Sequence, residues 1–196
     1  MSRTVWGLSA AGVGLGFLLW QAPAAAQTEK PSYIGAEACG KCHKRESTGN
    51  QLGQWKQSKH AKAYETLATP EAKKLAAEKG VADPQKDGKC LKCHVTAYGV
   101  DAALIVKPAE GEIGFKAEDG VQCESCHGPG SLYKSRKVMK SREASVAAGL
   151  VIPDEKLCKQ CHNPESPGYK PFNYEEAKKK ILHPNPNKGK ETGEEG

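Results

Sequence analysis

The 196-residue sequence predicts a mainly α fold of short helices and long loops, with at most a minor hairpin, packed about inserted groups. Three observations predict it: a composition too polar for an ordinary core, one cysteine motif repeated four times, and short helix signals between the repeats. Apolar residues make up 38% of the chain, aromatics 6% and charged residues 27%, which leaves little with which to build an interior. Such a chain is partly disordered, disulfide-stapled, or filled by a cofactor, and the cysteines decide among these.

All eight cysteines fall into one pattern, C-x-x-C-H. The copies are CGKCH (Cys39, Cys42, His43), CLKCH (Cys90, Cys93, His94), CESCH (Cys123, Cys126, His127) and CKQCH (Cys158, Cys161, His162). The pattern is the attachment signature of c-type haem. Two residues between the thiols let one helical turn reach both porphyrin vinyl groups, and the histidine that follows projects toward the iron from the proximal side. Structural zinc has no need of a histidine directly after every pair. A disulfide framework would not repeat that histidine at one offset four times. Four covalently attached c-type haems are therefore expected, and they supply the missing interior: the fold class is a small, haem-packed multihaem cytochrome.

Residues 1–26 read as a secretory signal peptide, with Arg3 at a positive start, the apolar run VWGLSAAGVGLGFLLW and the small-residue site APAAAQ. The run is short for a bilayer span, so cleavage and export to the periplasm are expected, with membrane contact only if the segment is retained. Losing Arg3 leaves 28 basic and 23 acidic residues, a net charge of +5. At about −1 for each ferric haem with its propionates, the oxidised holoprotein comes to roughly +1 and the reduced form to roughly −3. The basic residues largely answer the propionates, and no nucleic-acid role is needed.

A single haem-binding domain is expected over residues 27–185, followed by a disordered tail at 186–196. The motif starts lie 51, 33 and 35 residues apart, too uneven for a structural repeat. After the first motif, TGNQLGQWKQSKHAKAYETLAT carries Trp55, His60 and Tyr64 at near-helical spacings and predicts a helix. TPEAKKLAAEKG predicts another, with Thr69 as N-cap, Pro70 at its first position and Gly80 closing it. DPQKDG reads as a turn into the second motif. Residues 96–120 predict a loop with room for one short hairpin. A basic, helix-like stretch follows the third motif. NYEEAKKKILHP predicts a last helix capped by Asn173, with His183 at its end and Pro184 beyond.

Six histidines serve four irons. Four are proximal, so His60 and His183 are the candidates for distal ligands. Two irons then lack a histidine for the sixth position. Met139 is the only methionine left after export and is a tentative ligand that would raise its haem's potential; Lys137 is a second candidate, and a vacant position is the third reading.

QWKQSKHAKAYETL, CLKCHVTAYG, GVQCESCHGPG and FNYEEAKKKILHP together resemble the cytochrome c-554 family, over about residues 33–185. The specific parts are CESCHGPG and the W-x-x-S-x-H-A segment. The resemblance implies a mostly helical fold with haems stacked in close pairs. It implies distal ligation by His60 and His183 and a five-coordinate haem on His94. The family's third distal histidine follows the CHGPG turn, and here the matching position is near Lys137, with Met139 two residues on. That departure puts the sixth ligand of one haem in question, by resemblance the His43 haem.

The leading functional reading is a periplasmic carrier passing electrons between redox partners by haem-to-haem hopping. The partners expected are a donor oxidoreductase and an acceptor cytochrome or quinone-linked protein. The run Lys134, Arg136, Lys137, Lys140, Arg142 could dock an acidic partner or pair with propionates. The alternative is a haem enzyme reducing nitric oxide, nitrite or hydroxylamine at an open iron. No acid/base constellation stands beside the second motif, where Tyr98 and Asp101 are the nearest titratable groups. A subunit of an extracellular haem chain is disfavoured because no spare histidine remains to lend to a neighbour, so a monomer is expected.

Overall fold

The computed structural model describes residues 29–183 and 185–186. The signal-peptide reading, Pro184 and nearly all of the expected tail lie outside the described residues. Ten α-helices follow in chain order: α1 Ala36–His43, α2 Gln51–Gln57, α3 Ala63–Thr66, α4 Pro70–Glu78, α5 Gly88–His94, α6 Cys123–His127, α7 Arg136–Met139, α8 Arg142–Ala147, α9 Glu155–Cys158 and α10 Tyr174–Ile181. No sheet forms among the described residues. The one extended pairing is an isolated parallel bridge between Tyr33 and Ile105, so the room left for a hairpin at 96–120 is filled by loop and two short 3₁₀ turns.

Helices of four to nine residues are too short to hold themselves in water. Local capping compensates at seven of them: the side chains of Asn50, Thr69, Asp87, Ser135, Ser141, Asp154 and Asn173 each accept a hydrogen bond from a first-turn backbone N–H. At α4 the expected pattern holds in full, with Thr69 capping Ala72 N, Pro70 opening the helix and Gly80 beyond it at φ +67°.

The expected single helix through His60 is instead two. Ser58 turns to extended backbone at the end of α2, and its hydroxyl accepts from Ala61 N, so residues 58–62 form a turn. Side-chain competition of this kind is what serine offers a helix end. His60 sits in that turn, its carbonyl accepting from Ala63 N at 3.1 Å and Val121 N at 3.0 Å. His183 likewise lies past α10, after Leu182 leaves helical geometry with ψ 114°. The basic stretch forms two short helices, α7 and α8, rather than one.

The polypeptide core is small. Among the described residues the buried hydrophobics are Ile34, Ala36, Leu52, Ala63, Leu67, Ala76, Val81, Phe115 and Tyr133. Three of the nine are alanines, which bury little area. Polar stitching does much of the remaining work, centred on α6. The Glu124 carboxylate accepts from Ile34 N at 3.0 Å, Gly35 N at 2.8 Å and Gly130 N at 2.7 Å. The buried Gln122 accepts from Ala36 N at 2.8 Å and donates to Lys116 O at 2.7 Å. Tyr133 closes the Gly-Pro-Gly turn, its hydroxyl donating to Gly128 O at 2.8 Å and His127 O at 3.0 Å. These bonds bring the segment entering α1 against α6, and with it the first motif against the third. On the other side of α1, Gly40 inside CGKCH lets Leu52 of α2 approach so closely that a Cβ there would fall 2.4 Å from a leucine methyl.

Candidate haem sites

Each motif begins on a helix. Cys39 to His43 end α1, Cys90 to His94 end α5, and Cys123 to His127 are α6 itself. In the fourth, α9 stops at Cys158, and Cys161 and His162 continue in turns held by bonds from Cys161 N and His162 N to Cys158 O. One helical turn thus separates the two thiols in each case and sets the histidine beyond the second.

The thiols of different motifs lie together. Cys39 and Cys123 are within hydrogen-bonding reach; that contact, together with burial, holds the Cys39 thiol far above its ordinary range, and the same contact lowers Cys123 against the opposing effect of burial. Cys93 and Cys161 form a second close pair, and burial pushes Cys161 up to about 12. Between the pairs stand Cys126 and Cys158. Burial, with the nearby Cys158, pushes Cys126 up to about 11. Thiol to thiol the motifs therefore run first, third, fourth, second, while Thr96, just past the second, also bonds Ser125 of the third at 2.6 Å. A cleft of about 270 Å³ opens at the second and fourth, lined by Lys92, Cys93, Gln160, Cys161, Asn163 and Ser166.

The histidines fall into two pairs and two singles. The His60 and His162 rings have centroids 6.1 Å apart at 63°, and those of His127 and His183 are 6.0 Å apart at 49°. Neither pair is stacked, unlike His162 on Phe172, at 4.6 Å and 11°. A metal–nitrogen bond of about 2 Å on each side, with roughly 1 Å from nitrogen to ring centre, puts two imidazoles on one iron about 6 Å apart. Each pair thus joins a C-x-x-C-H histidine to one of the two remaining histidines at the separation a shared iron would require. Burial lowers the pKa of all four, which favours the neutral, ligating imidazole. Among the described residues no three His, Cys, Asp or Glu converge as a tetrahedral metal would need. Paired imidazoles without further ligands suit a porphyrin iron, whose equatorial positions the ring fills.

Three of the motif histidines are also oriented through Nδ1. His94 Nδ1 bonds Ala63 O at 2.7 Å, His127 Nδ1 bonds Val151 O at 3.2 Å, and His43 Nδ1 bonds Gln51 Oε1 at 3.2 Å. A donor role for Nδ1 leaves Nε2 free to face a metal, the usual outer-shell arrangement of ligating histidines. The residues present fit haem. Among the described residues no histidine ring pairs with His43 or His94. Met139 is half-buried, its sulfur 3.9 Å from the Ser145 hydroxyl between α7 and α8, while Lys137 is exposed. Asp101 caps Ala103 N at 2.9 Å, and the Tyr98 hydroxyl lies over Gly88 at the start of α5.

Sequence reasoning missed Gln51, the carbonyls of Ala63 and Val151, and Phe172. Carbonyl roles leave no mark in a sequence, and Gln51 belongs to no motif. Glu124 was visible only as a filler residue of CESCH.

A family model described as "Cytochrome c554 and c-prime" matches residues 38–128. Cytochrome c-554 of Nitrosomonas europaea is 34% identical over 132 residues, covering 65% of this chain and 51% of the relative. The chain thus spans about half the length of the curated relative it matches. The solved structure of reduced cytochrome c554 from the same organism superposes with a TM-score of 0.52 at 27% identity, covering 79% of this chain and 80% of that one. The mainly helical architecture is shared. Among the described residues no helix is long and apolar enough to cross a membrane.

Proposed function

Because the chain resembles the cytochrome c-554 family in motif, sequence and fold, we propose that it is an exported, periplasmic tetrahaem cytochrome that carries electrons between redox partner proteins. Residues 27–185 form its single haem-binding domain. The observation that carries the reading is the pair of histidine separations, 6.1 Å and 6.0 Å, each joining a proximal to a distal candidate. Each bound haem supplies a one-electron ferric/ferrous couple. The chain's own work is attachment, ligation and spacing. The eight cysteines attach the haems, His43, His94, His127 and His162 ligate from the proximal side, and His60 and His183 close the sixth positions opposite His162 and His127. Gln51, Ala63 O and Val151 O fix three proximal rings, so the ligand sets need not rearrange when an electron arrives. The adjacency of motifs one with three, three with four, and four with two supports a continuous hopping path.

A second reading has one observation behind it. His94 faces no histidine ring among the described residues, so its iron could bind a small nitrogen oxide and reduce it. Asp101 is already occupied as a cap, which leaves Tyr98, beside Gly88, as the candidate proton donor of the two, with Glu165 in the cleft at Cys93 as another. Haem content tests the tetrahaem premise that both readings share, and electron transfer against turnover separates them. Haem content per chain should be four, and the reduced protein should pass electrons rapidly to an oxidised cytochrome. Steady turnover of nitric oxide, nitrite or hydroxylamine would favour the enzyme instead.

A further inference from the structure

Of the six histidines, all within the described residues, four are consumed by the pairs His60–His162 and His127–His183. His43 is left with its Nδ1 on Gln51 and its Nε2 free. It lies near the third motif, close enough for its charge to lower both His127 and His183. Those two rings nevertheless face each other. The substitutes from the sequence are held elsewhere: the Met139 sulfur meets the Ser145 hydroxyl, which itself donates to Val138 O at 3.0 Å, and Lys137 points to solvent from α7. The order of thiol contacts, first, third, fourth, second, puts the motifs of the two unpaired histidines, His43 and His94, at its two ends, with the motifs of the paired sites between them.

We propose that the His43 site is a second open haem, at the far end of the row from His94, and that it binds a small neutral diatomic ligand of the carbon monoxide or nitric oxide class on its sixth side. This rests on the tetrahaem reading. The architecture is then a closed two-haem bridge between two ligand-binding ends, so electrons stored in the middle are available to either end.

The test is a carbon monoxide titration of the dithionite-reduced holoprotein, with haem content measured on the same sample. Four haems and two equivalents of bound carbon monoxide are expected. The Met139→Leu variant should also bind two. His60→Ala and His183→Ala should each bind three, because each exposes one bridge haem; the site left over at the first motif is then His43 by elimination. One equivalent or none in the wild type overturns the proposal, whatever the variants do. So does a histidine variant that stays at two while keeping four haems. Fewer than four haems would instead overturn the tetrahaem reading beneath it.

Discussion

At the scale of single residues, Glu124 shows how little of this protein is held by ordinary packing. It is 2% exposed, and its carboxylate terminates three backbone donors from two distant segments. Removing it strands those N–H groups in the interior, and each orphan costs about 1–3 kcal/mol. Glu124→Ala is therefore expected to destabilise by about 3 kcal/mol or more in denaturant titrations. Burial raises the Glu124 carboxyl above its ordinary 4.5, and the three N–H donors only partly oppose this. A folded-state pKa above the unfolded one means that the folded state binds the proton first as pH falls. The Glu124 contribution to stability thus declines as pH rises from 4.5 through the raised value, and Glu124→Gln should flatten that part of the stability profile. An unchanged slope would show that the carboxyl is not perturbed. None of this was legible beforehand, since the glutamate stands between two cysteines where any residue satisfies the motif. The eight cysteines and the four histidines that follow them were legible as an attachment pattern because the motif fixes their spacing along the chain; His60 and His183 belong to no such motif. Which histidine faces which was not legible, because it depends on contacts between segments far apart in the chain, as His60 is from His162 and His127 from His183.

At the scale of elements, the turn carrying His60 is the informative case. Periodicity through Trp55, His60 and Tyr64 suggested one helix, yet Ser58 breaks it and the loop at 119–121 clamps the break. Val121 N donates to His60 O, and Trp55 Nε1 donates to Val121 O at 2.8 Å. Gly120 is required there twice over. Its φ of +71° is unfavourable for a side chain, and a Cβ would stand 2.8 Å from the His60 carbonyl oxygen. Gly120→Ala should cost about 2 kcal/mol or more. It should also shift the His60 turn, weakening one low-spin signal in the spectrum of the oxidised protein while leaving the His127–His183 signal intact. Loss of stability with both signals unchanged would detach the loop from ligation. The caps at Thr69 and Asn173 were readable because capping is local. The ends of helices at Ser58 and Leu182 were not, since competing long-range bonds and the extended approach to His183 decide them.

At the scale of the whole molecule, the nine buried hydrophobic side chains among the described residues cannot sustain the fold by themselves. The chain expressed without haem attachment is expected to be largely unfolded, with weak helical circular dichroism and unprotected amides; a cooperatively folded apoprotein would contradict a haem-built interior. The exposed basic side chains of Lys134, Arg136, Lys137, Lys140 and Arg142 add a prediction about association. If they dock an acidic redox partner, the association rate should fall steeply with added salt, and neutralising Lys134, Arg136 and Lys140 together should remove most of that dependence. A rate indifferent to ionic strength would leave those residues to the propionates. The polar composition and the fourfold motif led to the expectation of an interior built of cofactor; the order of the motifs emerged only from contacts between their thiols. The central claim is the ligand assignment: two irons closed by histidine pairs and two left open at the ends of the row. Low-temperature EPR of the oxidised protein, read beside its visible spectrum, tests it most directly. The account predicts two low-spin bis-histidine haems and two high-spin haems; four low-spin haems would contradict it.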